Sequence, residues 1–152
     1  MFFCINRLNL LFKTSLLVAS LSFFIPALGK EPESIEDKIQ LAEELKATDF
    51  NRFNELLKQV EDSSVNLTAE QREQFRFLDA YRLAYSGSQT QAVANLTELV
   101  KVAKSEKVQF KSLSVLLNIL IISRDYSEVF QYLEQYDQMQ KNITDKDLKH
   151  HA

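Results

Sequence analysis

The chain has 152 residues, enough for one domain and too few for a second of full size. It carries 2 Gly and 2 Pro, where ordinary composition would supply about 18 of the two together, so sandwiches, barrels and Gly-rich phosphate loops, whose turns lean on these residues, are disfavoured. The 45% hydrophobic and 26% charged residues are a globular composition, not a disordered one, and the formal net charge of −3 gives no reason to expect nucleic acid.

Residues 1–29 contain Arg7 and Lys13 and no Asp or Glu. An apolar run from Leu16 to Ile25, interrupted by Ser20 and Ser22, ends at Pro26, and Ala27 and Gly29 stand at −3 and −1 of a cut before Lys30. A positive start, a short apolar stretch and a small-residue cleavage site together predict a secretory signal peptide, hence a periplasmic or otherwise exported protein. The alternative is an uncleaved anchor, but Thr14 to Leu28 supplies only 15 residues against the ~20 that span a bilayer. Cleavage removes Cys4 and leaves 123 residues with net charge −5 and no cysteine. Disulfides, a thiol nucleophile and Cys-ligated zinc are thereby excluded, and no membrane span remains.

From Lys30 onward the apolar spacing is helical. Ile35, Ile39, Ala42 and Leu45 make one stripe, and Phe50, Phe53, Leu56, Leu57 and Val60 a second. Asp62 to Asn66 reads as a loop. Thr68 then opens a helix with Gln71 completing a capping box, and the helix runs to Ser86, where Gly87 suits the left-handed position that follows. Ala92, Leu96, Leu99, Val100 and Ala103 form the fourth stripe. Phe110, Leu113, Leu116, Leu117, Leu120 and Ile121 form the fifth, and Val129, Phe130, Leu133 and Tyr136 the last. No segment alternates convincingly with period two, so six helices in three antiparallel pairs are predicted. Asn142 to Asp147 resembles a fresh helix start with Thr144 as cap; residues 144–152 are either that truncated start or a polar tail.

The pairs repeat. Their inner turns centre on Asp49, Ser88 and Asp125, 39 and 37 residues apart. Four residues beyond each centre stands Phe53, Ala92 or Val129, and eight beyond stands Leu57, Leu96 or Leu133. Helix pairs at this spacing predict an all-α fold, an α-solenoid of about three pairs over residues 30–143 in which each pair buries its apolar face on its neighbours.

The segment from Gly87 to Leu99, with Ala80 before it, resembles a tetratricopeptide repeat, and so does Arg124 to Leu133 with Leu113, Leu116, Leu117 and Leu120. Arg76, Asp79, Asp37, Gln40 and Glu44 stand where that motif has apolar residues, so the repeats are divergent. Leu67 to Gln71, Phe77 to Gly87 and Asn118 to Tyr126 are further similar to the exported N-terminal region of a group of bacterial diguanylate cyclases. That resemblance implies a signal peptide, a periplasmic helical sensor region, a membrane helix and a cytoplasmic GGDEF catalytic domain. The sequence contains no GGDEF segment, so the cyclase activity is not carried over.

The catalytic inventory is empty: GxGxxG, Walker A, HExxH and GxSxG are absent. His150 and His151 are adjacent in a polar tail, where a helical ligand pair would be spaced i, i+4. Glu36-Asp37 and Glu43-Glu44 point apart on their helices and read as solvated. No metal or cofactor is therefore expected. The sequons at Asn66, Asn95 and Asn142 matter only in a eukaryotic secretory pathway. Arg72, Arg76, Asp79 and Arg82 form a strip with Arg76–Asp79 and Asp79–Arg82 pairs at i, i+3.

Phe77, Tyr81 and Tyr85 share one face at i, i+4, i+8. In the register set by Gly87 that face lines the concave groove of a solenoid, with Lys111, Ser114 and Asn118 at matching positions in the next repeat. The six residues suit a peptide or small ligand; the competing possibility is that the aromatics are core.

The function expected is a non-enzymatic exported helical-repeat module, the sensory portion of a truncated signalling protein. The alternatives are a remnant of a diguanylate cyclase lacking its membrane helix and catalytic domain, and a free-standing binding protein that dimerises through its C-terminal repeat. In that repeat Leu113, Leu116, Leu117 and Leu120 should pack within their own pair. Val115, Ile119 and Ile122 need other contacts, and Phe130 and Tyr136 are expected to be left exposed, favouring self-association.

Overall fold

The structure, a computed structural model, describes residues 32–142. The segments before and after lie outside the described residues, and with them the expected signal peptide, Thr144, His150 and His151. Among the described residues there are six α-helices and no strand: α1 Ile35–Leu45, α2 Phe50–Asp62, α3 Ala69–Tyr85, α4 Gln89–Val102, α5 Glu106–Ile122 and α6 Tyr126–Asn142. None of them is long and apolar enough to cross a membrane.

Local chemistry sets the boundaries. Ser34 Oγ accepts from the Asp37 amide at 3.0 Å while Asp37 accepts from the Ser34 amide at 3.2 Å, a reciprocal box that starts α1. Asp49 caps α2 through the Arg52 amide at 3.0 Å. Thr68 and Gln71 form the predicted box on α3, at 3.2 and 3.1 Å. The predicted loop from Asp62 to Asn66 is shorter than its sequence suggests. Helix α2 runs through Asp62, held by Ser63 Oγ donating to the Gln59 carbonyl at 3.1 Å, and Ser64–Asn66 winds into a 3₁₀ turn. Leu67, extended and buried, then pins the chain to the core before α3.

The second and third pairs turn alike. The Ser88 amide closes onto the Leu83 carbonyl at 3.0 Å, and the Asp125 amide onto Leu120 at 2.9 Å. Each turn carries one left-handed residue, Gly87 at φ 94° and Arg124 at φ 63°. Glycine takes that conformation freely, whereas arginine brings its Cβ against the following carbonyl.

The helices of each pair pack on one another, α1 on α2, α3 on α4 and α5 on α6; α2 meets α3 and α4 meets α5 between pairs. The first helices also touch in sequence, α1 with α3 and α3 with α5. One cluster of buried side chains runs through every helix: Ala42, Phe53, Leu56, Leu78, Ala80, Ala92, Leu96, Leu99, Leu113 and Leu116 have no exposed surface. Helix α6 contributes one buried residue, Val129. Beside this cluster Phe110 stacks on Tyr136, centroids 5.1 Å apart, with Met139 alongside.

Several expectations about surfaces change. Val115 and Ile119 are buried, because α5 has neighbours on three sides. Tyr136, expected to be exposed, is half-covered by Phe110. Ile121 and Leu133, placed in apolar stripes, are exposed, whereas Ile122 at 73% and Phe130 at 72% are exposed as expected: these side chains fall on the sides of α5 and α6 that face no other described helix. Arg82 donates to Asp79 from Nε at 3.0 Å as expected, but Arg76 crosses to Glu98 of α4 at 2.9 Å instead of pairing with Asp79.

Two substitutions separate packing from backbone conformation. Phe53→Ala, at a site with no exposed surface, should lower stability by about 3–5 kcal/mol. Gly87→Ala has open space around the added methyl and should cost only the ~1–2 kcal/mol of a left-handed non-glycine residue. Urea unfolding read by far-ultraviolet circular dichroism measures both.

Candidate functional site

The side-by-side first helices place three sets of side chains along a common groove of about 760 Å³. Helix α3 supplies Phe77, Tyr81 and Tyr85, and α5 supplies Lys111, Ser114 and Asn118, so the six residues singled out by helical spacing line one cavity. Helix α1 supplies Gln40, Glu43 and Glu44, and its C-cap supplies Lys46, which spacing arguments did not nominate. Smaller depressions of about 280 Å³ each adjoin the groove, one sharing Glu43, Phe77 and Lys111, the other sharing Tyr85 and Asn118.

The six residues divide by burial. Phe77 and Tyr81 are buried, so their rings belong to the core as well as to the groove floor, while Tyr85 is 58% exposed. Tyr81 packs edge-on against Phe53 at 6.0 Å and stacks with Tyr85 at 4.4 Å, leaving one Tyr85 face turned outward. Burial, reinforced by Tyr85, pushes the Tyr81 hydroxyl up to about 12. Ser114 Oγ donates to the Phe110 carbonyl at 2.9 Å and is taken up by its own helix. Asn118 is exposed near the outer end, beside Tyr85.

Glu43 corrects an expectation. Read from its neighbours it belongs to a solvated acidic face, but its side chain is only 28% exposed. Its Oε1 is shared by Lys46 Nζ at 2.7 Å and Lys111 Nζ at 3.0 Å. Lys46 Nζ also donates to the Glu43 carbonyl at 3.1 Å. Both ammonium groups lie near rings, Lys46 5.8 Å from the Tyr81 centroid and Lys111 5.9 Å from that of Phe77, within cation–π range. Burial pushes the Glu43 carboxyl up, yet Lys111 and Lys46 together outweigh it and hold the group below its ordinary value. Burial pushes Lys111 down; Glu43 opposes this, but Lys107 and Lys46 repel, and the net direction is down. The two directions agree once the stoichiometry is noted, for one carboxylate serves two ammoniums.

Glu73 also tethers distant elements. From α3 it accepts from the Lys104 amide at 2.9 Å and the Ser105 amide at 3.1 Å, fixing the α4–α5 connection, and the Lys104 bond chiefly holds its carboxyl below the ordinary range. Among the described residues no group of three His, Cys, Asp or Glu side chains is placed to hold a metal ion. The groove presents aromatic rings, the exposed Asn118 amide and the Lys46 and Lys111 ammonium groups. Comparison of the chain with protein-family models, with curated proteins and with solved structures finds no match.

The Glu43 pairing sets an acid limit. A carboxyl held below its unfolded value contributes stability above that value and loses it as pH falls through the lowered one. The stability gap between the native chain and Glu43→Gln should therefore be full near neutrality, begin to close below about pH 4.5 and vanish in stronger acid. Urea midpoints of the two chains from pH 7 to pH 2.5 measure it.

Proposed function

We propose that the chain is an exported, non-catalytic binding module with a mature form starting at Lys30, built as a tetratricopeptide-like solenoid whose first helices form the ligand-binding face. The packing of α1, α3 and α5 in sequence, each backed by its second helix, supports the solenoid. So does the turn geometry shared at Gly87 and Arg124. The observation that carries the binding assignment is the convergence of Phe77, Tyr81, Tyr85, Lys111, Ser114 and Asn118 on one groove. The resemblance to the exported region of diguanylate cyclases supports a sensory role; the module would be the part that meets the signal, with no cyclase activity of its own. Its ligand is a peptide segment or a small molecule. Amide-resolved NMR titration with pooled small molecules and short peptides should move resonances of Tyr85, Lys111 and Asn118. Shifts confined to α6, or none on α1, α3 and α5, would remove the groove assignment.

The exposed strip of Ile122, Tyr126, Phe130 and Leu133 supports a second role, self-association through the C-terminal pair. With aromatic rings of roughly 200 Å² each, the strip reaches the few hundred Å² at which an apolar patch marks an interaction surface. Sedimentation velocity should show the average mass rising with concentration. Phe130→Ser should restore a monomer without lowering the unfolding midpoint, since that ring is largely exposed. A native chain that stays monomeric across a hundredfold range overturns this role.

A further inference from the structure

Helix α6 turns one stripe away from the other described helices. Tyr126, Phe130, Leu133 and Asp137 stand at i, i+4, i+7 and i+11, so they share one face, and all four are exposed. The stripe is apolar for three residues and ends in a carboxylate. The other acidic groups of this element are engaged or lie elsewhere. Asp125 accepts from Ser127 Oγ at 2.9 Å, Glu134 accepts from Gln138 at 3.2 Å, and Glu128 is half-buried on the far side of the helix from the stripe. Asp137 has no hydrogen-bond or ion partner among the described residues, Lys141 one turn further on included.

A second unpaired charge stands just before the same helix. Arg124 occupies the left-handed position of the α5–α6 turn at φ 63°, where the α3–α4 turn has Gly87. Glycine takes that conformation freely, whereas arginine is held in one that its Cβ disfavours. The side chain kept against this cost is exposed, and its guanidinium has no partner among the described residues. Backbone strain retained at an exposed position points to a use for the side chain beyond its own fold.

Arg124 and Asp137 bracket Phe130, six residues before it and seven after. Two copies of α6 lying antiparallel, with a twofold axis beside Phe130, bring each Arg124 opposite the partner's Asp137, Phe130 against its own copy and Tyr126 beside the partner's Leu133. A parallel pair would set Arg124 against Arg124 and Asp137 against Asp137, so charge selects the antiparallel arrangement. At 54%, 72% and 41% exposure, Tyr126, Phe130 and Leu133 offer about 300 Å² per chain. A twofold pair then covers about 600 Å² before the flanking polar stems are counted, the size of a small, reversible contact.

We propose that two copies of this chain pair antiparallel through α6, with Phe130 at the twofold axis and reciprocal Arg124–Asp137 ion pairs between the copies at its two ends. This rests on the self-association role argued above and adds its geometry: the interface is isologous, and Arg124 and Asp137 set its register.

Sedimentation velocity of the full chain over a hundredfold concentration range tests the pairing. Arg124→Glu and Asp137→Arg, made separately, each set like charges against one another at both ends of the interface and should weaken the pair about tenfold. The double variant restores complementary charge between copies and should recover most of the native affinity. Within one chain the two positions lie roughly 20 Å apart along the helix, beyond the Debye length of about 8 Å at physiological salt, so recovery requires contact between copies. Arg124→Gly removes the strain and the guanidinium together. It should raise the unfolding midpoint and yet weaken the pair, which a merely structural role would not do. Circular dichroism of each variant confirms that the helices persist. Single reversals that leave association unchanged while Phe130→Ser abolishes it overturn the antiparallel register and leave the apolar strip as the interface. A double variant as weak as the single ones overturns the reciprocal ion pairs. A native chain that stays monomeric, or association that ignores Phe130→Ser, overturns the self-association role itself.

Discussion

The close approach of α1, α3 and α5 is the constraint on which the rest depends. Ala42 on α1 and Ala80 on α3 have no exposed surface, and small side chains at such positions let helix backbones come near enough for larger neighbours to interlock around them. With the first helices in contact in sequence, a residue on α1 can reach one on α5. The Glu43–Lys111 ion pair is the direct consequence. Bulk at the alanine positions would separate the helices, and the groove would lose its walls before the domain lost its secondary structure.

The same closeness explains why core and groove share residues. Phe77 and Tyr81 bury most of their surface, yet both line the cavity. A ring that is floor on one side and core on the other is held firmly, so the exposed Tyr85 stacks on a fixed partner. The choice between core aromatics and groove aromatics is therefore not exclusive. Burial decreases along α3 from Phe77 to Tyr85, and the ring with the most exposed surface is the one best placed to meet a ligand.

What the sequence made legible was local. Helical periodicity located all six helices, and the Thr68–Gln71 box and Gly87 fixed the ends of α3 because the groups involved lie within a turn of each other. The same i, i+4 logic placed Phe77, Tyr81 and Tyr85 on one face, and the repeat register brought in Lys111, Ser114 and Asn118. Contributions from a third helix were not legible. Glu43 and Lys46 look like ordinary surface charges when read along α1, and their partner on α5 lies 68 residues away from Glu43. Arg76 likewise has an acidic residue at i+3 and ignores it for Glu98, and Glu73 gives no local sign that it holds the backbone at Lys104. Side-chain reach across a helix interface decides these pairings, and periodicity does not encode it. The exposure of Ile121 and Leu133 went unread for the opposite reason: an apolar residue in a stripe is buried only where a neighbouring helix covers it.

Helix α6 stands apart energetically from the groove. One of its residues is buried, whereas α5 buries nine, and local opening is easiest where few apolar contacts are lost. Its principal link to the groove is the stack of Tyr136 on Phe110, which lines the cavity at the α5 wall. Glu43, Phe77, Tyr81, Tyr85, Lys111 and Asn118 all belong to α1, α3 and α5, and Lys46 caps the end of α1. Opening of α6 therefore perturbs the groove through one ring and leaves the ion-paired centre and the tyrosine stack intact. The proposed binding face on the first helices and the proposed association face on the last therefore share few contacts, with the Phe110–Tyr136 stack as a direct link between them.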